Sequence, residues 1–168
     1  MRGKQCTANA AMFLMFNQIR PFHQWSSSDI DYILRQGSDY FLLCSHNAGH
    51  LQLTYIMPSE LIPETNIAGK ICTITVDLDA IAVLTVPPQE VENDVIPGFY
   101  NCILDGLEAF FQNSNTGIFT LADYSFGVAL QDNYYWFTDS HARGPAGFVK
   151  TDRTFGFHTK GKDEMVDR

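Results

Sequence analysis

Apolar positions open the chain with helical spacing. Ala8, Ala11, Met12, Met15 and Ile19 fall on one stripe, while Phe13, Leu14 and Phe16 fill most of the remaining surface. This predicts a helix from Thr7 to Arg20, ended by Pro21. A helix apolar on nearly all sides is a buried one. The next segment, "SSSDIDYILRQG", predicts an amphipathic helix with a serine cap, acids in its first turn and Gly37 past its end. "SDYFLLCSH" is expected to follow as a short third helix.

The pattern then shortens. "LQLTYIM", "KICTITVDL" and "AIAVLTV" read as strands, with turns at Pro58, Pro63, Gly69 and the Pro87–Pro88 pair. "YNCILDGLEAFFQN" returns to helical spacing through Ile103, Leu107, Phe110 and Phe111. Four short strands are expected after it, in "GIFTL", "FGVALQ", "YYWFTDSH" and "RTFGFH". Buried helices first and a strand-rich second half define an α+β domain, with the N-terminal helix packed on a mainly antiparallel sheet. No repeat or linker interrupts the chain, so residues 1–168 are expected to form a single domain.

Composition narrows the function. At 45% hydrophobic and 18% charged, with 13 Phe, the chain is globular and aromatic-rich. A net charge of −8 disfavours nucleic acid and anionic membranes and favours a basic ligand or peptide. Asp77 and Asp79 interrupt the longest apolar run, so no membrane span is expected. Four cysteines are too sparse for a disulfide scaffold and point to reduced thiols in an intracellular, cytoplasmic protein. Arg2 and Lys4 ahead of "ANAAMFLMF" have the look of a secretory leader, but Asn9 breaks the apolar run and "NQIRP" offers no small-x-small cleavage site.

The chemistry gathers at the two ends of the chain. Strand alternation in "YYWFTDSHARG" places Tyr135, Phe137, Asp139 and His141 on one face, and the two aromatics turn that face to the core. A carboxylate and an imidazole then emerge together, the carboxylate able to orient the ring. Cys6 stands at the start of the buried helix, where free N–H groups and the helix dipole favour a thiolate. Its backbone N–H is placed to bind an oxyanion. Gly144 and Gly147, flanking Pro145, are expected to turn the chain sharply beside a substrate cleft. Each feature also has a plainer reading, as a core thiol, a surface turn or an ordinary connection.

A rival cluster, Cys44, His46 and His50 in "CSHNAGH", has spacings a metal could tolerate, with Cys72 or Cys102 as the other thiols. It lacks the paired CxxC spacing of zinc sites, so no metal or other cofactor is expected. His23 and His158 read as structural or solvent-facing.

"GKQCTANAAMFL", the Trp25 and "DIDYILRQGSDYF" block, "YIMPSELIP" and "WFTDSHARGPAG" together resemble the herpesvirus tegument deubiquitinases and their non-viral tegument-like relatives. The blocks occur in the family's order and span most of the chain. The resemblance implies a papain-like cysteine peptidase that cleaves ubiquitin or polyubiquitin conjugates. By motif, Cys6 corresponds to the nucleophile, His141 to the general base and Asp139 to its orienter. Asn9 matches a structural position of the helix start. Family members carry an oxyanion-hole glutamine well upstream of the cysteine. Here Gln5 matches the glutamine adjacent to the nucleophile and is a weaker candidate for that role. A narrow cleft would suit the glycines that end ubiquitin, and acidic residues would suit the arginine before them. Two other functions share this constellation: a catalytically weak ubiquitin-binding module, and a papain-like hydrolase or transferase for another acyl substrate.

Overall fold

The computed structural model describes residues 4–52, 54–77, 82–83, 99–100, 103–121, 124–141 and 158–161. These divide into two compact units, Met1–Val76 with Thr116–Arg168, and Asp77–Asn115.

The first unit is built on helix α1, Cys6–Asn17. Every residue from Cys6 to Phe16 is buried, as its unbroken apolar surface requires. Pro21 follows its last turn, and Asn17 Oδ1 accepts the Phe22 N–H at 3.0 Å, tying down the chain as it leaves the helix. Trp25 closes over that exit. Its ring stacks on Phe13 with centroids 5.7 Å apart, meets Phe16 edge-on at 5.4 Å, and donates its N–H to the Arg20 carbonyl at 2.7 Å.

Helix α2, Ser27–Asn47, crosses α1 and starts with a reciprocal cap. Ser26 Oγ accepts the Asp29 N–H, and Asp29 Oδ2 accepts the Ser26 N–H at 2.8 Å. Arg20 then pairs with both Asp29 oxygens at 2.7 and 2.8 Å. Ile33, Gly37, Tyr40, Phe41 and Cys44 form its buried stripe. The two helices expected between Ser26 and His46 are therefore one. Gly37, expected past a helix end, lies inside α2 because α1 needs the space that a side chain there would occupy.

After α2 the described residues of "LQLTYIM" are not a strand, and Leu51 is fully exposed. Among the described residues of this segment Ile56 alone turns inward, and a short 3-10 turn at Pro58–Glu60 follows. Strands β1, Glu64–Ile67, and β2, Lys70–Thr73, make an antiparallel hairpin in which β1 was unexpected and β2 covers only the start of "KICTITVDL". Ala68 and Gly69 both take positive φ, 50° and 80°, as a two-residue hairpin turn demands. Tyr32 Oη on α2 accepts the Ala68 N–H at 2.9 Å and holds this turn in place.

In the second unit, β3, Ala82–Val83, pairs in parallel with β4, Phe99–Tyr100, and helix α3 spans Ile103–Asn113. The rest of "AIAVLTV" and the Pro87–Pro88 turn lie outside the described residues, as does Cys102.

A four-stranded antiparallel sheet completes the first unit, in the order β5–β6–β7–β8. Its strands are β5, Thr116–Leu121; β6, Tyr124–Gln131; β7, Tyr134–Thr138; and β8, His158–Gly161. Asp132 and Asn133 turn the β6–β7 hairpin with φ of 54° and 64°. Of "RTFGFH" only His158 belongs to a described strand.

The sheet meets α1 through small residues. A Cβ on Gly127 would overlap Thr138 Oγ1 and come within 3.3 Å of the Ala10 carbonyl oxygen. Beside it, Leu14, Phe22 and Ala129 form a buried cluster against Trp136. The face toward α1 is thus the Trp136 and Thr138 face. Tyr135 and Phe137, expected on a face that packs on the core, do not share the face toward α1. They lie on the opposite face, where Phe137 and Phe126 pack with centroids 4.9 Å apart. Helix–sheet contact here depends on close backbone approach, which Gly127 and Ala129 permit.

Candidate active site

Cys6 is the first residue of α1, where backbone N–H groups have no partner within the helix itself. The residue is 3% exposed. Close packing of α1 on β6 carries this end of the helix to the edge where β7 stops at Thr138.

Beyond Thr138 the chain leaves the sheet. Asp139, 1% exposed, accepts two hydrogen bonds on Oδ1, from the His141 backbone N–H at 2.9 Å and from its ring Nδ1 at 2.6 Å. One carboxylate oxygen therefore fixes both the turn and the ring. With Nδ1–H held by Asp139, Nε2 remains for the thiol, and the imidazole and Cys6 are hydrogen-bonded. Tyr124 meets the His141 ring edge-on at 4.6 Å, with Phe126 at 6.2 Å. The structure thus brings together the thiol, the imidazole and the carboxylate that the sequence singled out.

The electrostatics agree with the geometry. Asp139, and then Cys6, hold the His141 ring in its charged form, overcoming burial and raising its pKa from 6.5 to about 9. Burial pushes the Cys6 thiol up, but hydrogen bonds from His141 and Ser125 and the charge of His141 outweigh it, leaving the thiol below its ordinary value. Burial pushes the Cys44 and Cys72 thiols the other way. Among the three thiols so affected, Cys6 is the one whose surroundings favour the thiolate.

Ser125 was not anticipated. It lies on β6 and reaches Cys6 through its backbone and its hydroxyl. A lone serine in a strand carries no signal of this kind in the sequence.

Gln5, the residue before the helix, donates its amide to Ser38 Oγ on α2 at 3.0 Å. Asn9 is buried against Gly37 rather than beside the thiol. Gly144 and Gly147 lie outside the described residues. The "CSHNAGH" cluster does not assemble. Cys44 is fully buried, His46 is exposed, and His50 is held between Glu60 Oε1 at 2.9 Å and Thr54 Oγ1 at 2.7 Å. Among the described residues no group of three His, Cys, Asp or Glu side chains could hold a metal ion. Nor is any described helix long and apolar enough to cross a membrane.

A buried helix headed by a thiol and packed on an antiparallel sheet that delivers an imidazole is the α+β arrangement of papain-like proteins. The chain belongs to the family defined by the N-terminal conserved region of herpesvirus tegument proteins, whose model matches residues 1–156. Its fold matches the crystal structure of the ubiquitin-specific protease encoded by murine cytomegalovirus tegument protein M48, solved with a ubiquitin-based suicide substrate. The TM-score is 0.66 over 96% of this chain and 67% of that one, at 17% sequence identity. No curated protein matches the sequence.

Proposed function

We propose that residues 1–168 act as one thiol-dependent deubiquitinase domain, hydrolysing peptide and isopeptide bonds after the C-terminal glycine of ubiquitin. The observation that carries this reading is the line from Asp139 Oδ1 to His141 Nδ1, 2.6 Å long, and on to the Cys6 thiol. The family membership and the ubiquitin-based substrate bound to the viral relative support ubiquitin as the acyl donor.

In this mechanism the Cys6 thiolate attacks the carbonyl carbon of the terminal glycine. The carbonyl π bond opens to an oxyanion, received by the Cys6 backbone N–H. On collapse the C–N bond breaks, and His141 passes its Nε2 proton to the departing amine. Water then adds to the thioester, losing a proton to His141, and the C–S bond breaks to free the ubiquitin carboxylate and return the thiolate. Asp139 holds the ring in one tautomer throughout and exchanges no proton. Four cysteines in 168 residues, too few for a disulfide scaffold, fit action in a reducing, intracellular compartment.

A ubiquitin carrying a C-terminal electrophile tests the reading. The expected result is a covalent adduct mapped to Cys6 by mass spectrometry. Binding without an adduct would make the domain a ubiquitin-binding module. Alkylation of Cys6 by small reagents, with no response to the ubiquitin probe, would point to another acyl substrate.

A further inference from the structure

The proposed triad leaves one set of buried polar groups unexplained. In the register of β6 with β7 the last described pair is Gly127 with Thr138, so Ser125 extends past the end of that ladder. On its other side Ser125 faces Thr120 of β5. Its hydroxyl, in a residue 4% exposed, lies 3.1 Å from Thr120 Oγ1 and 3.0 Å from Thr7 Oγ1 on α1. Its third neighbour is the Cys6 sulfur, which it reaches through both backbone and side chain.

Counting protons fixes the direction of these bonds. A hydroxyl has one proton to donate and two lone pairs to accept with. A thiolate can only accept. The Ser125 proton is then directed to sulfur, and the Thr7 and Thr120 protons are directed to Ser125. His141, with Asp139 behind it, is the titratable group facing Cys6 from the segment after β7, and Ser125 faces it from β6.

We propose that Ser125 is a further catalytic group of this site, donating from its backbone N–H and its hydroxyl to the Cys6 thiolate, with Thr7 and Thr120 as positioning residues behind it. It rests on the reading of Cys6 as the nucleophile. The role is to hold the charge on sulfur in the free enzyme before attack, and again as the C–S bond breaks and the thiolate returns.

The test is the pH dependence of Cys6 alkylation by iodoacetamide, read by mass spectrometry of the Cys6 peptide, in the full chain and in Ser125→Ala. The expected result is a midpoint about one pH unit higher in the variant, the scale of a hydrogen bond to a charged group. A roughly tenfold or larger loss of kcat/KM on a fluorogenic ubiquitin substrate should accompany it. An unchanged midpoint in a folded variant overturns the proposal, even where Cys6→Ala abolishes turnover. A raised midpoint in a protein that cleaves no ubiquitin conjugate upholds Ser125 and removes the proposed substrate. Should Ser125→Ala not fold, Ser125→Thr and Ser125→Val decide instead. They add nearly the same bulk and differ in the hydroxyl. A lower midpoint for the threonine variant supports the role, and equal midpoints overturn it.

Discussion

Asn9 on α1 and Gly37 on α2 occupy the point where the two helices cross. A Cβ added at Gly37 would overlap Asn9 Oδ1 and lie 3.1 Å from its Cγ and 3.3 Å from its Cα. The last of these is backbone, so rotating the amide alone does not make room. Asn9 Oδ1 has no hydrogen-bond partner among the described residues, which marks the amide as a spacer in this contact. The pair sits one turn along α1 from Cys6 and fixes how closely α2 supports the helix that carries the thiol.

Gly37→Ala should therefore destabilise the protein. In an exposed helix interior the same change would stabilise by roughly 1 kcal/mol. Here overpacking costs about 1–3 kcal/mol and reverses the sign. Urea unfolding measures it, and a stabilised variant would mean that the helices separate without penalty.

Cys6→Ala should abolish ubiquitin cleavage while leaving thermal unfolding and ubiquitin affinity nearly unchanged. Cys44→Ala and Cys72→Ala should retain turnover, with any loss tracking stability, since both thiols are buried core groups. Substantial turnover by the Cys6 variant on a fluorogenic substrate would remove the nucleophile.

His141→Ala should cost more than Asp139→Asn. The imidazole moves the proton, an effect of about 10²–10⁴-fold, whereas an asparagine oxygen at position 139 can still accept from the His141 backbone and ring. Steady-state kinetics on one substrate ranks them. A larger loss for Asp139→Asn would give the carboxylate the main role.

The rate of Cys6 alkylation and kcat/KM should rise on the acid side at a pH below the ordinary thiol range, and kcat/KM should fall as pH passes about 9. The alkaline limb reports loss of the His141 proton that the leaving amine requires. The same group contributes to folding. Its folded pKa lies above its unfolded 6.5, so its stabilisation is complete below 6.5 and is lost as pH rises through about 9. Denaturation midpoints across that window, with His141→Ala as reference, should converge at the alkaline end.

Turnover on ubiquitin conjugates should also be insensitive to chelators, because Cys44, His46 and His50 do not converge. Elemental analysis of protein purified without added metal measures zinc directly. One equivalent bound tightly per chain would contradict this expectation.

Much of the site was legible in the sequence because its parts are local. A thiol at a helix start and an Asp-x-His beyond a strand are read from neighbours along the chain, and the apolar wrap of α1 announced its burial. The ends of α2 were half legible. Ser26 and Asp29 cap its start through bonds three residues apart, but Gly37 reads as a stop until α1 is laid across it. The strand expected at "LQLTYIM" failed for a related reason, since apolar alternation without a partner strand does not make a ladder. The face of β7 toward α1 was decided by Gly127 and Ala129 on the neighbouring strand, not by the aromatics of β7 itself. Ser125 was beyond reach of the sequence altogether. Its hydroxyl meets Thr7, 118 residues away along the chain, and only the packing of helix on sheet sets that proton beside the sulfur of Cys6.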